Sequence, residues 1–399
     1  ITEGQYGLTF SGFRMENDSF IWLLLALPVV FGLGWMASRL DLRQLRTANR
    51  SAPKAYFMGL NYLLNEQQDK AIDAFIEAVQ KDPDTTELHF ALGNLFRRRG
   101  EYERAVRVHR HLLSRNDLSA ADRDRAQHAL AQDFLKAGLL DHAEEALRAL
   151  KDSSYEAQAQ LALLGIYERS RDWVPAGESA HALEAAGQQD FARQRAHYLC
   201  ERAQEAPKQG EPQQAMELLQ QAMQIAPQAA RPRLQQALLL QAGGEHAKAF
   251  ELLQQAMRDI PAFAPLLAAP LAQAALDTGR TLEAHALLER LQQQSPSIDL
   301  VEALARLDQQ LDPAASTAGR YLGHLEQSPS LIAATRWLDL EKLQQDPHRE
   351  VVDRALDKAI RPLGRYRCAA CGFEAQQHYW HCPGCQSWDS YPPRRVEEL

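Results

Sequence analysis

Between residue 53 and about residue 362, small and large apolar residues recur in the same order about every 34 residues. In the first copy these positions hold Gly59, Tyr62, Ala71, Phe75, Ala78 and Pro83. In the second copy they hold Gly93, Phe96, Ala105, His109, Leu112 and Asp117. A unit this short cannot bury its own apolar face, so neighbouring units must stack and share one core. The chain is therefore expected to fold as a row of similar units.

Each unit is expected to form two helices. Gly59 and Ala71 let the two helices approach closely, Phe75 fills the gap to the next pair, and a proline ends the second helix. The spacing resembles the tetratricopeptide repeat, which implies an all-α superhelical solenoid of about nine helix pairs over residues 53–362. Unrelated helical hairpins are the alternative. Residues 205–230 are rich in Gln and Ala, and we expect a longer turn there.

An uncharged apolar run, FIWLLLALPVVFGLGWMA, begins at residue 20 and falls within residues 20–38. Its 18 residues would form about 27 Å of helix, which is close to the thickness of a bilayer core. Trp22 and Trp35 lie near its ends, where indole rings favour the headgroup region. Residues 20–38 are therefore predicted to be a single-pass transmembrane anchor, with a cleaved signal peptide or a buried helix as alternatives.

The charges beside the apolar run predict its orientation. Glu16 and Asp18 precede it, whereas the basic residues that follow are Arg39, Arg43, Arg46 and Arg50. By the positive-inside rule, residues 15–19 are periplasmic, residues 39–52 form a basic juxtamembrane linker, and the remaining chain is cytoplasmic. Residues 1–14 precede Met15 and are predicted to be a non-native or upstream extension, so they are left out of the fold prediction.

Four of the five cysteines form a CxxC–x10–CxxC motif near the end of the sequence, within a predicted domain at residues 363–399. The predicted metal ligands are Cys368, Cys371, Cys382 and Cys385. Two CxxC turns close one tetrahedral four-thiolate site, for which zinc is favoured and iron remains open. Gly372 and Gly384 are expected to supply unusual backbone angles. His378 and His381 are expected to be neighbours of the site rather than ligands.

A peptide site is predicted on the first helices of the second and third repeats, which normally face the groove. Its candidate residues are Phe90, Asn94, Arg97, Arg98, Arg125, His128 and Gln132. Their arrangement resembles the carboxylate-clamp grooves of some tetratricopeptide domains, where amide and basic side chains hold an acidic peptide end. The alternatives are a solvated basic face or, for Arg104, Arg107 and Arg110, an anionic lipid surface.

Composition excludes several classes of function. The formal net charge is −8, so general binding to nucleic acid is not expected. No recognisable catalytic set or phosphate loop is present, and the chain is predicted not to be an enzyme. Two alternatives stay open: a rubredoxin-type electron carrier and a zinc-ribbon nucleic-acid scaffold. The second draws support from a group of tail arginines, namely Arg361, Arg365, Arg367, Arg394 and Arg395.

The order of anchor, helical repeats and rubredoxin-like cysteine domain resembles the lipopolysaccharide assembly protein B family over residues 15–399. The stretch Arg365–Ser390, RYRCAACGFEAQQHYWHCPGCQSWDS, carries much of this resemblance. The resemblance implies an adaptor in the inner membrane of Gram-negative bacteria. Such an adaptor limits lipopolysaccharide synthesis by bringing an LpxC-type deacetylase to an FtsH-type membrane protease, and it docks other envelope-assembly proteins. The four cysteines carry over as metal ligands, and no catalytic residue carries over.

We therefore predict a tethered adaptor whose repeats bind the deacetylase. Tethering would raise the concentration of the groove near a membrane protease. The cysteine domain is expected to pack on the last repeats and to fix the shape of the groove. The oligomeric state is left open, a homo-oligomer included.

Overall fold

The computed structural model describes residues 28–33, 35–36, 54–81, 85–313, 316–340 and 349–399. These residues are mostly α-helical, and they form two compact units, one ending at Tyr155 and the other spanning Glu156–Leu399. The prediction of an all-α repeat fold with a small cysteine-containing domain at the C-terminal end is confirmed.

Most of the predicted anchor lies outside the described residues, although residues 28–33 and 35–36 are helical. Among the described residues, no single helix is long and apolar enough to cross a membrane. The helices His246–Asp259 and Pro261–Thr278, which meet at 116°, satisfy the criterion of length and composition only as a bent pair. Other predictions also fall outside the described residues, namely those for residues 1–14, 15–19, 39–52 and Pro83.

Within residues 54–81 and 85–155, the first unit contains three helix pairs, and each helix packs on the next. The pairs are α1 (Lys54–Leu64) with α2 (Gln68–Lys81), α3 (Thr86–Arg99) with α4 (Tyr102–Ser114), and α5 (Ala120–Ala137) with α6 (Leu140–Arg148).

Small residues stand where the helices of a pair cross, as the repeat pattern predicted. A methyl group added to Gly59 on α1 would lie 2.8 Å from the Phe75 ring on α2. A methyl group on Gly93 of α3 would lie 2.5 Å from Nε2 of His109 on α4. Because real carbon atoms do not approach this closely, only glycine permits the observed distance between the paired helices.

The bounds of α5 follow from its flanking residues. The Ser119 hydroxyl accepts a hydrogen bond of 3.1 Å from the backbone N–H of Asp122, which caps the N-terminal end of the helix. Gly138 adopts a φ of +75° at the C-terminal end, and its backbone N–H bonds back to carbonyls of the last turn. A left-handed residue at this position ends a helix at low cost when it is glycine.

The second unit contains six further helix pairs and the cysteine domain. The first three pairs are α7 (Glu156–Ser170) with α8 (Trp173–Ala185), α9 (Ala192–Glu205) with α10 (Pro212–Ile225), and α11 (Ala230–Ala242) with α12 (His246–Asp259). The last three pairs are α13 (Ala264–Thr278) with α14 (Thr281–Gln294), α15 (Ile298–Leu311) with α16 (Ala318–Gln327), and α17 (Leu331–Leu340) with α18 (Arg349–Ile360).

The apolar positions of the pattern form the core of this unit. One cluster extends from α11 to α15 and includes the fully buried Phe250, Leu253, Leu267, Leu271 and Leu288.

The expected long turn at residues 205–230 is wrong. A 3-10 turn, Ala206–Gln209, leads directly into α10, whose Ala215 and Leu219 are buried against α9. The helical periodicity of the apolar residues therefore outweighed the turn signal of Pro207 and Gly210.

The cysteine-containing segment, residues 366–392, is called here the knuckle domain. Its two strands, β1 (Tyr366–Arg367) and β2 (Glu374–Ala375), are antiparallel. Its small core consists of Cys368, Cys382 and Tyr391, all less than 4% exposed. So little apolar surface cannot stabilise a domain alone, which agrees with a need for metal or for docking on another element.

Replacing Gly93 by Ala should destabilise the first unit. The added methyl group would clash with the buried His109 ring, and overpacking of this kind costs about 1–3 kcal/mol. Thermal or urea unfolding measures the effect. The matched control is Gly165→Ala on α7, where the methyl group meets nothing within 4 Å and should be neutral or stabilising. Equal stability of the two variants would contradict the packing argument.

Candidate metal centre

The four sulfur atoms of the knuckle domain lie together at one point. Sγ of Cys368 is 3.8 Å from Sγ of Cys385, and Sγ of Cys371 is 3.7 Å from Sγ of Cys382. All four lie within 4.8 Å of one another. Bond lengths of about 2.3 Å to a tetrahedral metal place two thiolates roughly 3.8 Å apart, whereas a disulfide needs about 2.0 Å. The sulfur positions therefore fit one four-coordinate metal ion.

The first pair of ligands is carried by a tight turn. The backbone N–H of Cys368 donates to the Phe373 carbonyl at 2.9 Å, and the N–H of Gly372 donates to the Cys368 carbonyl at 2.9 Å. Gly372 has a φ of +78°, as the sequence predicted, and this angle turns the chain back toward β2.

The second turn has the same hydrogen bonds but a different residue in the left-handed conformation. Cys382 N–H donates to the Ser387 carbonyl and Gln386 N–H to the Cys382 carbonyl, both at 2.9 Å. Gln386, with a φ of +60°, takes the position of Gly372, so the expectation for Gly384 is wrong. Gly384 instead leaves room for Phe373, whose ring would lie 3.2 Å from an added methyl group.

Hydrogen bonds around the sulfurs favour thiolate. Burial opposes ionisation of Cys368, but the Ser390 hydroxyl at 3.3 Å and the backbone N–H groups of Cys371 and Ala370 outweigh it, and its pKa falls to about 6. At Cys371 the Phe373 N–H favours ionisation, but burial and the neighbouring thiols prevail and raise its pKa to about 12. Like charges so close cannot all form unless a cation neutralises them.

The two histidines of the knuckle domain are directed away from the sulfurs. Nε2 of His378 donates to the Tyr391 carbonyl at 3.1 Å, and Nε2 of His381 donates to the Gln386 carbonyl at 2.9 Å. Among the described residues, the cluster that could hold a metal contains the four cysteines and neither histidine. The arrangement agrees with the prediction that the histidines are neighbours.

Trp388 docks the knuckle domain on the repeats of the second unit. Its indole N–H donates to Oε1 of Glu168 on α7 at 2.8 Å, and the Tyr198 hydroxyl of α9 donates to the same oxygen at 2.6 Å. Its ring stacks between His381, 4.2 Å away, and His197 of α9, 4.9 Å away. The knuckle domain is thus joined to two helices through one aromatic side chain.

A second contact beside Trp388 is formed by polar and charged side chains. Nε2 of His197 lies 2.9 Å from Oδ1 of Asp389, and Nδ1 of His197 lies 3.4 Å from the Arg231 guanidinium of α11. Arg231 also donates to Glu201 at 2.6 Å. Burial would raise the pKa of Asp389, but the hydrogen bond and charge of His197 outweigh it and lower that pKa. Two first helices, α7 and α9, therefore hold the loop that carries Trp388 and Asp389, and Arg231 of α11 contacts His197 from the other side.

The expectation that the cysteine domain, residues 363–399, packs on the last repeats holds for its final residues, but the knuckle domain within it contacts earlier repeats. Trp388 contacts α7 and α9, Trp380 contacts His197 of α9, and Trp380 also stacks on Phe263, which precedes α13. The contacts with α15 and α17 are made instead by the residues that follow the knuckle domain. The knuckle domain therefore covers the side that first helices normally turn to a ligand.

The residues of the predicted peptide site lie on α3 and α5, which are in contact. Phe90 is only 2% exposed, so it belongs to the core rather than to an open surface. The Arg125 guanidinium lies 4.0 Å above the Phe90 ring and is paired with Glu87 at 2.5 Å. His128 stacks on Tyr155 at 4.7 Å, and burial followed by the nearby Arg97 lowers the pKa of His128.

Arg97 is held by a buried charge network that sequence reasoning missed. It donates to Asp133 Oδ1 at 2.8 Å and to Asn94 Oδ1 at 2.6 Å. Nδ1 of His109 lies 2.5 Å from the other oxygen of Asp133, and both side chains are fully buried. The available signal was the polar His109 in a large apolar position of the repeat, together with Asp133 beside the small Ala131.

The tail arginines that favoured a nucleic-acid scaffold are largely paired within the chain. Arg367 lies 2.8 Å from Glu374 and Arg365 lies 3.8 Å from the same residue. Arg395 lies 2.6 Å from Asp299 on α15. Charges neutralised in this way do not form the open basic surface that phosphate binding needs.

Two segments match known families. Residues 366–392 match the rubredoxin metal binding domain, and residues 88–121 match the tetratricopeptide repeat. The first match covers the knuckle domain, and the second covers α3 and α4 of the first unit.

Over almost its whole length the chain resembles curated bacterial proteins. It is 31% identical over 381 residues to lipopolysaccharide assembly protein B of Escherichia coli (strain K12), covering 94% of this chain and 98% of that one. It is 28% identical over 394 residues to the protein of the same name from Haemophilus influenzae, with the same coverages. A solved structure of Naa15/Naa10 bound to HypK-THB matches 76% of this chain and 49% of that one, at 15% identity and a TM-score of 0.45.

The purified protein should contain one metal ion per chain. The double variant Cys368→Ser, Cys371→Ser should lose it, because hydroxyl groups are poor ligands in a thiolate site. Elemental analysis measures the metal content, and visible absorbance separates coloured iron thiolate from colourless zinc. Cys200→Ala is the matched control, since Cys200 is fully buried in the repeats and should not affect the metal. Full metal content in the double variant would refute the assignment.

Replacing Glu168 by Ala should loosen the docked knuckle domain without removing its metal. The indole N–H of Trp388 and the Tyr198 hydroxyl would lose their shared acceptor, at a cost of about 1–3 kcal/mol. Tryptophan fluorescence and limited proteolysis report the change. Glu178→Ala, an exposed position on α8, is the control. A spectrum and cleavage pattern identical to the unmodified protein would show that this contact does not hold the domain.

Proposed function

The chain belongs to the lipopolysaccharide assembly protein B family, and from that membership we propose that it is a membrane-anchored tetratricopeptide adaptor that regulates lipopolysaccharide synthesis. The family name and the repeats support a scaffold for lipopolysaccharide assembly, since such repeats bind other proteins. The adaptor is proposed to act by bringing proteins together and not by catalysis.

The observation that carries the proposal is the polar face on α3 and α5 of the first unit. In the second unit, the knuckle domain already contacts α7 and α9. In the first unit, Asn94 and Gln132 stand on the first helices of neighbouring pairs, and Arg98 is exposed beyond them. We therefore assign partner binding to this face of the first unit.

The chemistry of this face favours an acidic peptide segment. Arg98 is exposed and forms no ion pair with any residue that the structure describes. Arg97 is fixed at its base by Asp133, which leaves part of its guanidinium at the surface, with 21% of the side chain exposed. Amide groups such as Gln132 add hydrogen bonds to a peptide backbone. Arg125 and Phe90 have a supporting role in this proposal, because one is paired and the other is buried.

Anchoring is the second part of the proposal. Residues 20–38 are proposed to cross the inner membrane, with residues 15–19 in the periplasm and residues 39–52 leading to the repeats. The proposed cytoplasmic side suits the knuckle domain, because free thiolates persist in a reducing compartment. Tethering confines the repeats to the membrane surface and raises their effective concentration near membrane partners.

The partners proposed for this adaptor are an LpxC-type deacetylase as the bound protein and an FtsH-type membrane protease as the acceptor. Binding both near one membrane would direct the deacetylase to degradation and so limit lipopolysaccharide synthesis. Other envelope-assembly proteins are proposed to dock on the same repeats. This assignment rests on the family, and the acidic-segment chemistry of the first unit is what allows a direct test.

A photo-crosslinking residue at Asn94 or Gln132 should capture the deacetylase in membranes. The same residue at Arg107, on α4 and away from these first helices, is the control and should not capture it. Arg98→Glu should weaken capture about tenfold or more, since it replaces an attraction to an acidic segment by repulsion. Mass spectrometry of the adducts identifies the partner. Equal capture from Arg107 would place the partner elsewhere.

Deleting residues 15–40 should raise the deacetylase level in cells, because the repeats would no longer be concentrated beside the protease. Immunoblotting of the deacetylase, with the deleted protein expressed at the normal level, measures the effect. A soluble form that keeps the deacetylase low would contradict the anchoring argument.

A further inference from the structure

Residues 394–398, called here the tail, leave the knuckle domain and return to the repeats of the second unit. Within the tail, Val396–Glu398 forms a short 3-10 turn. The tail lies against the N-terminal ends of α15 and α17, which belong to two successive helix pairs. It also contacts the start of the knuckle domain, because the backbone N–H of Val396 donates to the Arg365 carbonyl at 2.8 Å.

Glu398 caps the N-terminal end of α15. Its Oε1 accepts from the backbone N–H of Ile298, the first residue of the helix, at 2.6 Å. Its Oε2 lies 3.3 Å from the Ser297 hydroxyl. The first N–H groups of a helix have no partner within the helix and carry partial positive charge, so a carboxylate is favoured there. Burial, opposed by the bond from Ile298, raises the pKa of Glu398 above its ordinary value.

Glu397 caps the N-terminal end of α17 in the same way. Its Oε2 accepts from the backbone N–H of Leu331 at 3.0 Å and from that of Ile332 at 3.3 Å. The Ser330 hydroxyl donates to its other oxygen at 2.5 Å. Two adjacent glutamates thus bond to the first N–H groups of two different helices, beside the caps that Ser297 and Ser330 supply to Asp299 and Ala333.

Arginines fix the direction of the tail. The Arg395 guanidinium lies 2.6 Å from Asp299 and 3.3 Å from Glu302, both on α15. Arg394 bonds to the Ser295 hydroxyl just before α15. Basic residues therefore meet acidic side chains and acidic residues meet helix N-terminal ends. This pattern of charges fits the tail in one position and orientation.

We propose that the tail is a latch: its contacts with α15 and α17 hold the knuckle domain against α7 and α9, and releasing the tail exposes the groove side of these two helices. The latch acts at the end of the knuckle domain, whereas the chain from α18 holds its start, and Trp380, Trp388 and Asp389 contact the repeats in between. With the tail in place, the small domain is fixed at both of its ends.

The test uses the purified full chain with its metal and the double variant Glu397→Ala, Glu398→Ala. Hydrogen exchange at the amides of Ile298, Leu331 and Ile332 should accelerate about fivefold or more, as expected for a lost helix cap. Two further measurements, made on the side of the knuckle domain away from the tail, distinguish a latch from a simple pair of helix caps. Exchange in α7 and α9 around Glu168 and His197 should also accelerate, and a chelator should remove the metal faster.

Two further variants make the test decisive. Glu178→Ala, Glu217→Ala removes two exposed glutamates from α8 and α10 and should change none of these rates. Glu397→Gln, Glu398→Gln keeps an acceptor oxygen at each helix end, so it should fold and give intermediate rates even if the alanine variant does not fold. Faster exchange at α15 and α17 with unchanged exchange at α7 and α9 would overturn the latch and leave only two helix caps. Unchanged exchange everywhere would overturn it as well.

Discussion

The structure depends on one constraint: no helix pair in this chain can bury its apolar face alone. Close contact between neighbouring helices meets this constraint, and Gly59 and Gly93 show how close the contact is, because neither has room for a methyl group. The knuckle domain faces the same problem in a smaller form. The domain is stabilised by four sulfurs arranged to bind one metal ion and by Trp388, which packs on the repeats.

The metal centre and the docking surface depend on each other through one short loop. Cys385 and Trp388 are three residues apart, so the turn that positions a sulfur also positions the ring that stacks on His197. A metal that orders the loop therefore orders the contact with α7 and α9. This arrangement gives the thiolate site a structural role, because the site orders the surface that docks on the repeats.

Much of the fold could be predicted from the sequence, because it depends on local spacing. The 34-residue period gave the helix pairs, and the CxxC spacing gave a cluster of four sulfurs that the structure brings together. The turn predicted at residues 205–230 was wrong, because isolated Pro207 and Gly210 were weighed above the apolar period. In the second knuckle the residue in the left-handed conformation is Gln386, not Gly384. Gly384 serves a different purpose, because a side chain at position 384 would crowd the Phe373 ring. The docking of Trp388 on Glu168 joins residues 220 positions apart, and no local pattern encodes such a contact.

The buried pair of His109 and Asp133 has a consequence for how the repeats find their neighbours. Apolar surfaces of similar repeats are nearly interchangeable, and they would tolerate stacking in the wrong order. A carboxylate without its imidazole and guanidinium partners inside a core would cost several kcal/mol. Among the described residues, α4 places the His109 imidazole against Asp133 of α5, so a shuffled order of these repeats would leave the buried carboxylate without that partner. His109, a polar residue at a repeat position that is usually apolar, thereby specifies that the second and third repeats are neighbours.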